Sequence, residues 1–163
     1  MHRPGHYGVA LALYAPLGFA LVAAGESTLA LAGGLATLAL TNLPDLDGKT
    51  DRLRHRGPTH SLVFALAVGV LAAAAAVPFG FEAGPVAVLR LSGLGFAVGV
   101  LAVVAHLVAD VINPMGVRPF WPFSDRRFTF DLVLASDRTT NYLLFAVGVT
   151  LAVVAWVLGR TTA

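Results

Sequence analysis

His106 and Asp110 stand four residues apart inside an otherwise apolar stretch. On a helix that spacing leaves the two side chains only about 40° apart around the axis, so an imidazole and a carboxylate can reach one ion together. A His–Asp hydrogen bond tying two helices is the plainer reading. The run His55-Arg56-Gly57-Pro58-Thr59-His60-Ser61 carries two further imidazoles. Five residues apart on a continuous helix they would diverge, but the Gly57-Pro58 break lets both turn toward one centre, with His60 in the first turn of the helix that follows. In Leu43-Pro44-Asp45-Leu46-Asp47 two carboxylates follow a helix stop. Read as a short extended stretch, it is expected to aim one at an ion and leave the other to orient a histidine. His6 opens the first apolar run and is a further candidate ligand, whereas His2 lies too near the terminus to count.

Imidazole and carboxylate without thiolate is a donor set for zinc, manganese or iron, and with no cysteine in the chain a thiolate ligand or nucleophile is excluded. More candidates are present than the three or four protein ligands one catalytic zinc takes, which leaves room for one or two ions. A pair of ions can activate water and stabilise the leaving oxygen of a phosphoester. Asp47 or His55 would then serve as general base or hold a ligand in place, while Arg54 and Arg56 could clamp a phosphate. A basic loop that merely sets topology explains the same two arginines.

These residues need a scaffold, and the composition says which. Of 163 residues 57% are hydrophobic and 12% charged, about half the charge of an ordinary soluble domain. Runs near the 20 residues needed to cross a bilayer extend over 7–24, 28–43 (ending near Asn42, because Pro44 disfavours helix before it), 61–79, 91–112 and 141–159. The expected fold is therefore all-α, a single membrane-embedded domain over 1–163 with about five spans. Five spans put the amino terminus and the loops 44–60 and 113–140 on one side, with nine of the eleven basic residues. The positive-inside rule makes that side cytoplasmic, which implies the inner membrane of a cell. All five histidines, with Asp45, Asp47, Asp51 and Asp110, fall at that end.

Arg3, an apolar core and Val22-Ala23-Ala24 also fit a cleaved signal peptide, but the run is long and contains Pro16, so a retained helix is the expectation. A net charge of +2 on so few charges is what cytoplasmic loops carry, and no nucleic-acid partner is expected. Pro119-Phe120-Trp121-Pro122-Phe123-Ser124 reads as an interfacial aromatic anchor, and Gly69, Gly95 and Gly99 as positions of close helix packing.

The histidine before the first span, Leu-Pro-Asp-Leu-Asp at 43–47, the run 55–61, and His106-Leu-Val-Ala-Asp110 followed by Asn113-Pro114 and Gly116 resemble the YdjM-like inner-membrane metal-dependent hydrolases, some of them LexA-regulated. The resemblance covers nearly the whole chain and implies a hydrolase. The order of these residues is also distantly similar to that in zinc phospholipase C and the related single-strand nucleases. That likeness implies His6, Asp45, His60, His106 and Asp110 as the ligand set, although the later histidines of those enzymes are missing here. A membrane hydrolase of a small-molecule or lipid phosphoester is thus the leading expectation. A metal or proton transporter is the alternative, though the outer halves of the spans are nearly all Ala, Val, Leu and Gly. A non-catalytic structural module whose cluster pins the fold is the other.

Overall fold

The computed structural model describes residues 1–49 and 56–162. It is all-helical, with five helices long and apolar enough to cross a membrane. They are α1 (Arg3–Ala23), α2 (Ser27–Leu40), α3 (Leu62–Gly80), α4 (Pro85–Val111) and α5 (Arg138–Thr162). Two short 3-10 turns, Pro44–Lys49 and Pro58–His60, lie between α2 and α3.

Boundaries follow local chemistry. Pro44 has no N–H to offer the last turn of α2, and the chain tightens there into a 3-10 turn. Pro58 opens the second 3-10 turn rather than α3 itself, so His60 precedes the helix instead of standing in its first turn. Ser61 caps α3, its hydroxyl accepting from the Phe64 amide at 3.2 Å. The fourth span begins at Pro85, six residues earlier than its hydropathy suggests. Gly84 takes a left-handed φ of +92°, and Pro85 suits a first helical position. Arg90 accordingly sits on α4, not in a loop, and pairs with Glu26 at 2.8 Å.

In lipid, apolar side chains gain nothing by meeting one another, so helices associate where small residues let backbones close. The fold has two such pairs. Gly148 of α5 is in backbone contact with Gly8 of α1, and Gly99 of α4 packs against the backbone at Gly69 of α3, with Gly95 against Ala72. The glycines at 69, 95 and 99 thus do what their spacing predicts. α2 lies against α1 and α4, and α1 touches α4.

Two buried clusters occupy the end of the bundle that carries the histidines. One joins Ala65, Val68, Val103, Leu107 and Val117. The other joins Val9, Ala10, Ala105 and Ala109. Their α4 members lie on either side of His106 and Asp110, so the polar face of that turn is walled by apolar packing. After α4 the chain returns over this end, pairing Val117 with Phe128 and donating the Leu62 amide to the Pro119 carbonyl at 2.8 Å. Phe120 and Phe123 remain exposed, as an interfacial anchor requires.

Candidate metal centre

Each imidazole of the cluster is turned by a bond to its Nδ1. Thr41 closes α2, where the last carbonyls of a helix have no intrahelical partner, and its carbonyl lies 2.8 Å from His106 Nδ1. The Thr41 hydroxyl reaches the Thr37 carbonyl at 2.7 Å and the Ala102 carbonyl at 3.3 Å, fixing α2 to α4. His6 Nδ1 faces the His2 carbonyl at 3.3 Å. His60 Nδ1 is 3.3 Å from Asp47 Oδ2 and 3.1 Å from Thr59 Oγ1. An Nδ1 facing an oxygen acceptor carries the proton, which leaves Nε2 of the same ring bare.

Those bare nitrogens converge. His60 Nε2 and His106 Nε2 are 3.3 Å apart. Asp110 Oδ2 lies 3.6 Å from the first of α4's pair, His106, and 3.7 Å from His60. Asp45 Oδ1 lies 3.5 Å from His106 Nε2 and 3.8 Å from His60 Nε2. His6 stacks on His106 with ring centroids 4.0 Å apart, and its Nε2, 3.3 Å from Asp110 Oδ1, is buried with no hydrogen-bond partner among the described residues. Among the described residues two sets of ligand atoms are close enough to share an ion: His6, Asp45 and His106, and His60, His106 and Asp110.

The donor set fits a cation. Two imidazole nitrogens 3.3 Å apart suit a shared positive charge between them, a proton or a metal ion. Ligands bound about 2.0–2.2 Å from a tetrahedral zinc lie about 3.3–3.6 Å from one another, close to the spacing of the buried trio. Burial, with the neighbouring His106 acting in the same direction and Asp110, Asp47 and Asp45 opposing, pushes the His60 imidazole from the usual 6.5 down to about 4. It is therefore neutral at pH 7, the form that ligates a metal.

Asp45 and Asp47 face different neighbours, but the segment between them is not the extended stretch expected. Residues two apart on an extended strand share a side; the segment is a 3-10 turn, whose three residues per turn separate them. Asp45 goes to the centre and Asp47 to the far side of His60, where its Oδ2 also accepts from Thr59 Oγ1 and the Arg56 amide, both at 2.9 Å. Exposure separates them too: the Asp45 side chain is 43% exposed and that of Asp47 fully buried.

Arg56 is brought to the same place. Its guanidinium lies 3.0 Å from Asp110 Oδ1 and donates to the Gly116 carbonyl at 2.9 Å, and its backbone takes a left-handed φ of +57°. Arg54 and His55, like Asp51, lie outside the described residues. Residues to which sequence reasoning gave no role in the site complete the surroundings. Asn113 donates to Asp110 Oδ1 at 3.2 Å, and the Met1 nitrogen reaches the same oxygen at 2.9 Å. Asn141 Oδ1 accepts from the His2 amide at 3.0 Å, holding the start of α1 in place. Position 113 had a signal, since it continues the face of 106 and 110 by one more turn; Thr41 and Asn141 had none.

The sequence profile described as YdjM inner membrane protein matches residues 1–162. No curated protein and no solved structure matches the chain.

Proposed function

From the premise that the chain belongs to the YdjM inner membrane protein family, we propose that it is a membrane-bound metal-dependent hydrolase, acting on a phosphoester at the cytoplasmic face. The observation that carries this reading is the buried trio of His60 Nε2, His106 Nε2 and Asp110 Oδ2, mutually 3.3–3.7 Å apart, with one exposed carboxylate at its rim. Structural zinc sites are closed by four protein ligands, whereas catalytic ones keep three and leave a position open. In this assignment His60, His106 and Asp110 would hold the ion, with Asp45 at the rim of the trio. A divalent ion, zinc by its donor set, supplies Lewis acidity and lowers the pKa of bound water.

The remaining residues hold and shield. Thr41 and Asp47 keep His106 and His60 in the tautomer that presents Nε2 inward. Val103 and Leu107 on one side and Ala105 and Ala109 on the other exclude water, so the charges there act in a medium of low dielectric. Asp45, half-exposed at the rim, is the carboxylate that would take a proton from an entering water; His55 is the other candidate base. Arg56 presents Nε, buried and without partner among the described residues, as a donor for a phosphate oxygen, with Arg54 its companion. The exposed Phe120 and Phe123 support an aromatic anchor beside the site, in keeping with a lipid phosphoester as substrate.

The test is turnover by detergent-purified protein on a panel of phosphomonoesters, phosphodiesters and phospholipids, with and without chelator. Hydrolysis that stops on chelation, and is absent from a His106→Ala, Asp110→Ala double variant, is the expected result. A protein that holds its metal yet hydrolyses nothing on the panel would overturn the reading.

A further inference from the structure

The two oxygens of Asp110 have different neighbours. Oδ2 faces the imidazoles of His106 and His60. Oδ1 is surrounded by donors, the Met1 nitrogen at 2.9 Å, Arg56 Nη2 at 3.0 Å and Asn113 Nδ2 at 3.2 Å, with His6 Nε2 also within 3.3 Å. A carboxylate held this way cannot rotate without breaking several charge-assisted bonds at once.

We propose that Arg56 and Asn113 are positioning residues that pin Oδ1 of Asp110, so that the carboxylate offers an ion one oxygen, Oδ2, in a fixed direction. The inference rests on the metal-site reading above and adds what sets the strength and geometry of that site. Arg56 links the parts that must agree. Its amide holds Asp47, which orients His60; its guanidinium holds Asp110; and its other terminal nitrogen holds the Gly116 carbonyl beyond α4. It does so from a left-handed backbone conformation that residues other than glycine rarely adopt, so the local chain is bent to serve these contacts. Asn113 lies just past the end of α4, and its amide turns back to Asp110. Its backbone carbonyl accepts from Thr129 Oγ1 at 2.6 Å, which fixes where the amide starts. Its Oδ1 is buried with no partner among the described residues. Turning the amide over would place that oxygen against the carboxylate, so the need for a donor at Asp110 dictates its orientation.

The experiment compares wild-type protein with Arg56→Gln, Arg56→Lys and Asn113→Leu. Zinc affinity is read by competition with a chromophoric chelator, coordination by the visible spectrum of cobalt-substituted protein, and fold by thermal unfolding of metal-free protein. Losing an outer partner of a metal ligand weakens binding by about 10–100-fold, and that is expected for Arg56→Gln and Asn113→Leu, with a changed cobalt spectrum as Asp110 becomes free to turn. Arg56→Lys should fall between, since an ammonium keeps the charge but not the planar fork. If Arg56→Gln does not fold, Arg56→Lys carries the comparison. A wild-type protein that binds zinc, with variants that bind it within twofold and share its cobalt spectrum, overturns the positioning role and leaves the site standing. A wild-type protein that binds neither metal overturns both.

Discussion

How many ions the centre holds is decided by one nitrogen. The two sets of ligand atoms share His106, and its Nδ1 is committed to the Thr41 carbonyl at 2.8 Å. Nε2 has a single lone pair, so it can serve one ion, and the chain should bind one equivalent of zinc. Structural zinc sites gain about 10–16 kcal/mol from four ligands, or about 3 kcal/mol for each, which corresponds to roughly a hundredfold in Kd. His106→Ala removes a ligand from both sets and should weaken zinc binding by at least that factor. His6→Ala leaves the trio of His60, His106 and Asp110 intact; it removes a stacking partner at 4.0 Å, and should change Kd by less than about tenfold. Stoichiometry is read by elemental mass spectrometry on purified protein and Kd by chelator competition. Two ions per wild-type chain, or equal losses in the two variants, would refute this account of the ligands.

Replacing Asp47 with Asn keeps the shape beside His60 but removes the charge on its Nδ1 side; zinc affinity should fall about 10–100-fold, measured by the same competition. Gly148→Leu puts a side chain where α5 meets the Gly8 backbone, and since overpacking costs about 1–3 kcal/mol even where side chains can yield, thermal unfolding should show a loss at or above that range. For His60, the unfolded chain takes up a proton below pH 6.5, while the folded protein resists until about pH 4. The stability of metal-free protein should therefore be full above pH 6.5, fall by about 3 kcal/mol between those values and level off below, as pH-dependent denaturation can measure. Because the chain has no cysteine, single cysteines at Ser124 and Glu82 report sidedness in oriented vesicles. Position 124 should react with an impermeant thiol reagent only from the cytoplasmic side and position 82 only from the other; the reverse pattern would invert the proposed orientation.

Much of the membrane architecture was legible from composition alone, because a chain this poor in charge has no aqueous solution for its surface. Five apolar runs give five helices, and Pro44, Pro58 and Pro85 mark their breaks through chemistry that acts on neighbouring residues only. The pair His106 and Asp110 was equally legible, since four residues on a helix fix a face whatever lies opposite. The 3-10 turn that separates Asp45 from Asp47 was not, because hydropathy does not tell an extended stretch from a tight turn.

What the sequence by itself determined is thus a set of elements and one face of α4, with the basic residues and the histidines drawn to the same end. Only the tertiary structure decided which atoms meet. The stacking of His6 on His106 exists because α1 packs against α4. The tautomer of His106 depends on a Thr41 carbonyl left free where α2 stops, 65 positions away. The division of Asp110 into a pinned oxygen and a facing one depends on Arg56, 54 positions earlier in the chain. Periodicity governs residues within one helix; contacts between helices follow from where glycines permit approach and where chain ends leave carbonyls unpaired, and neither has a period to read.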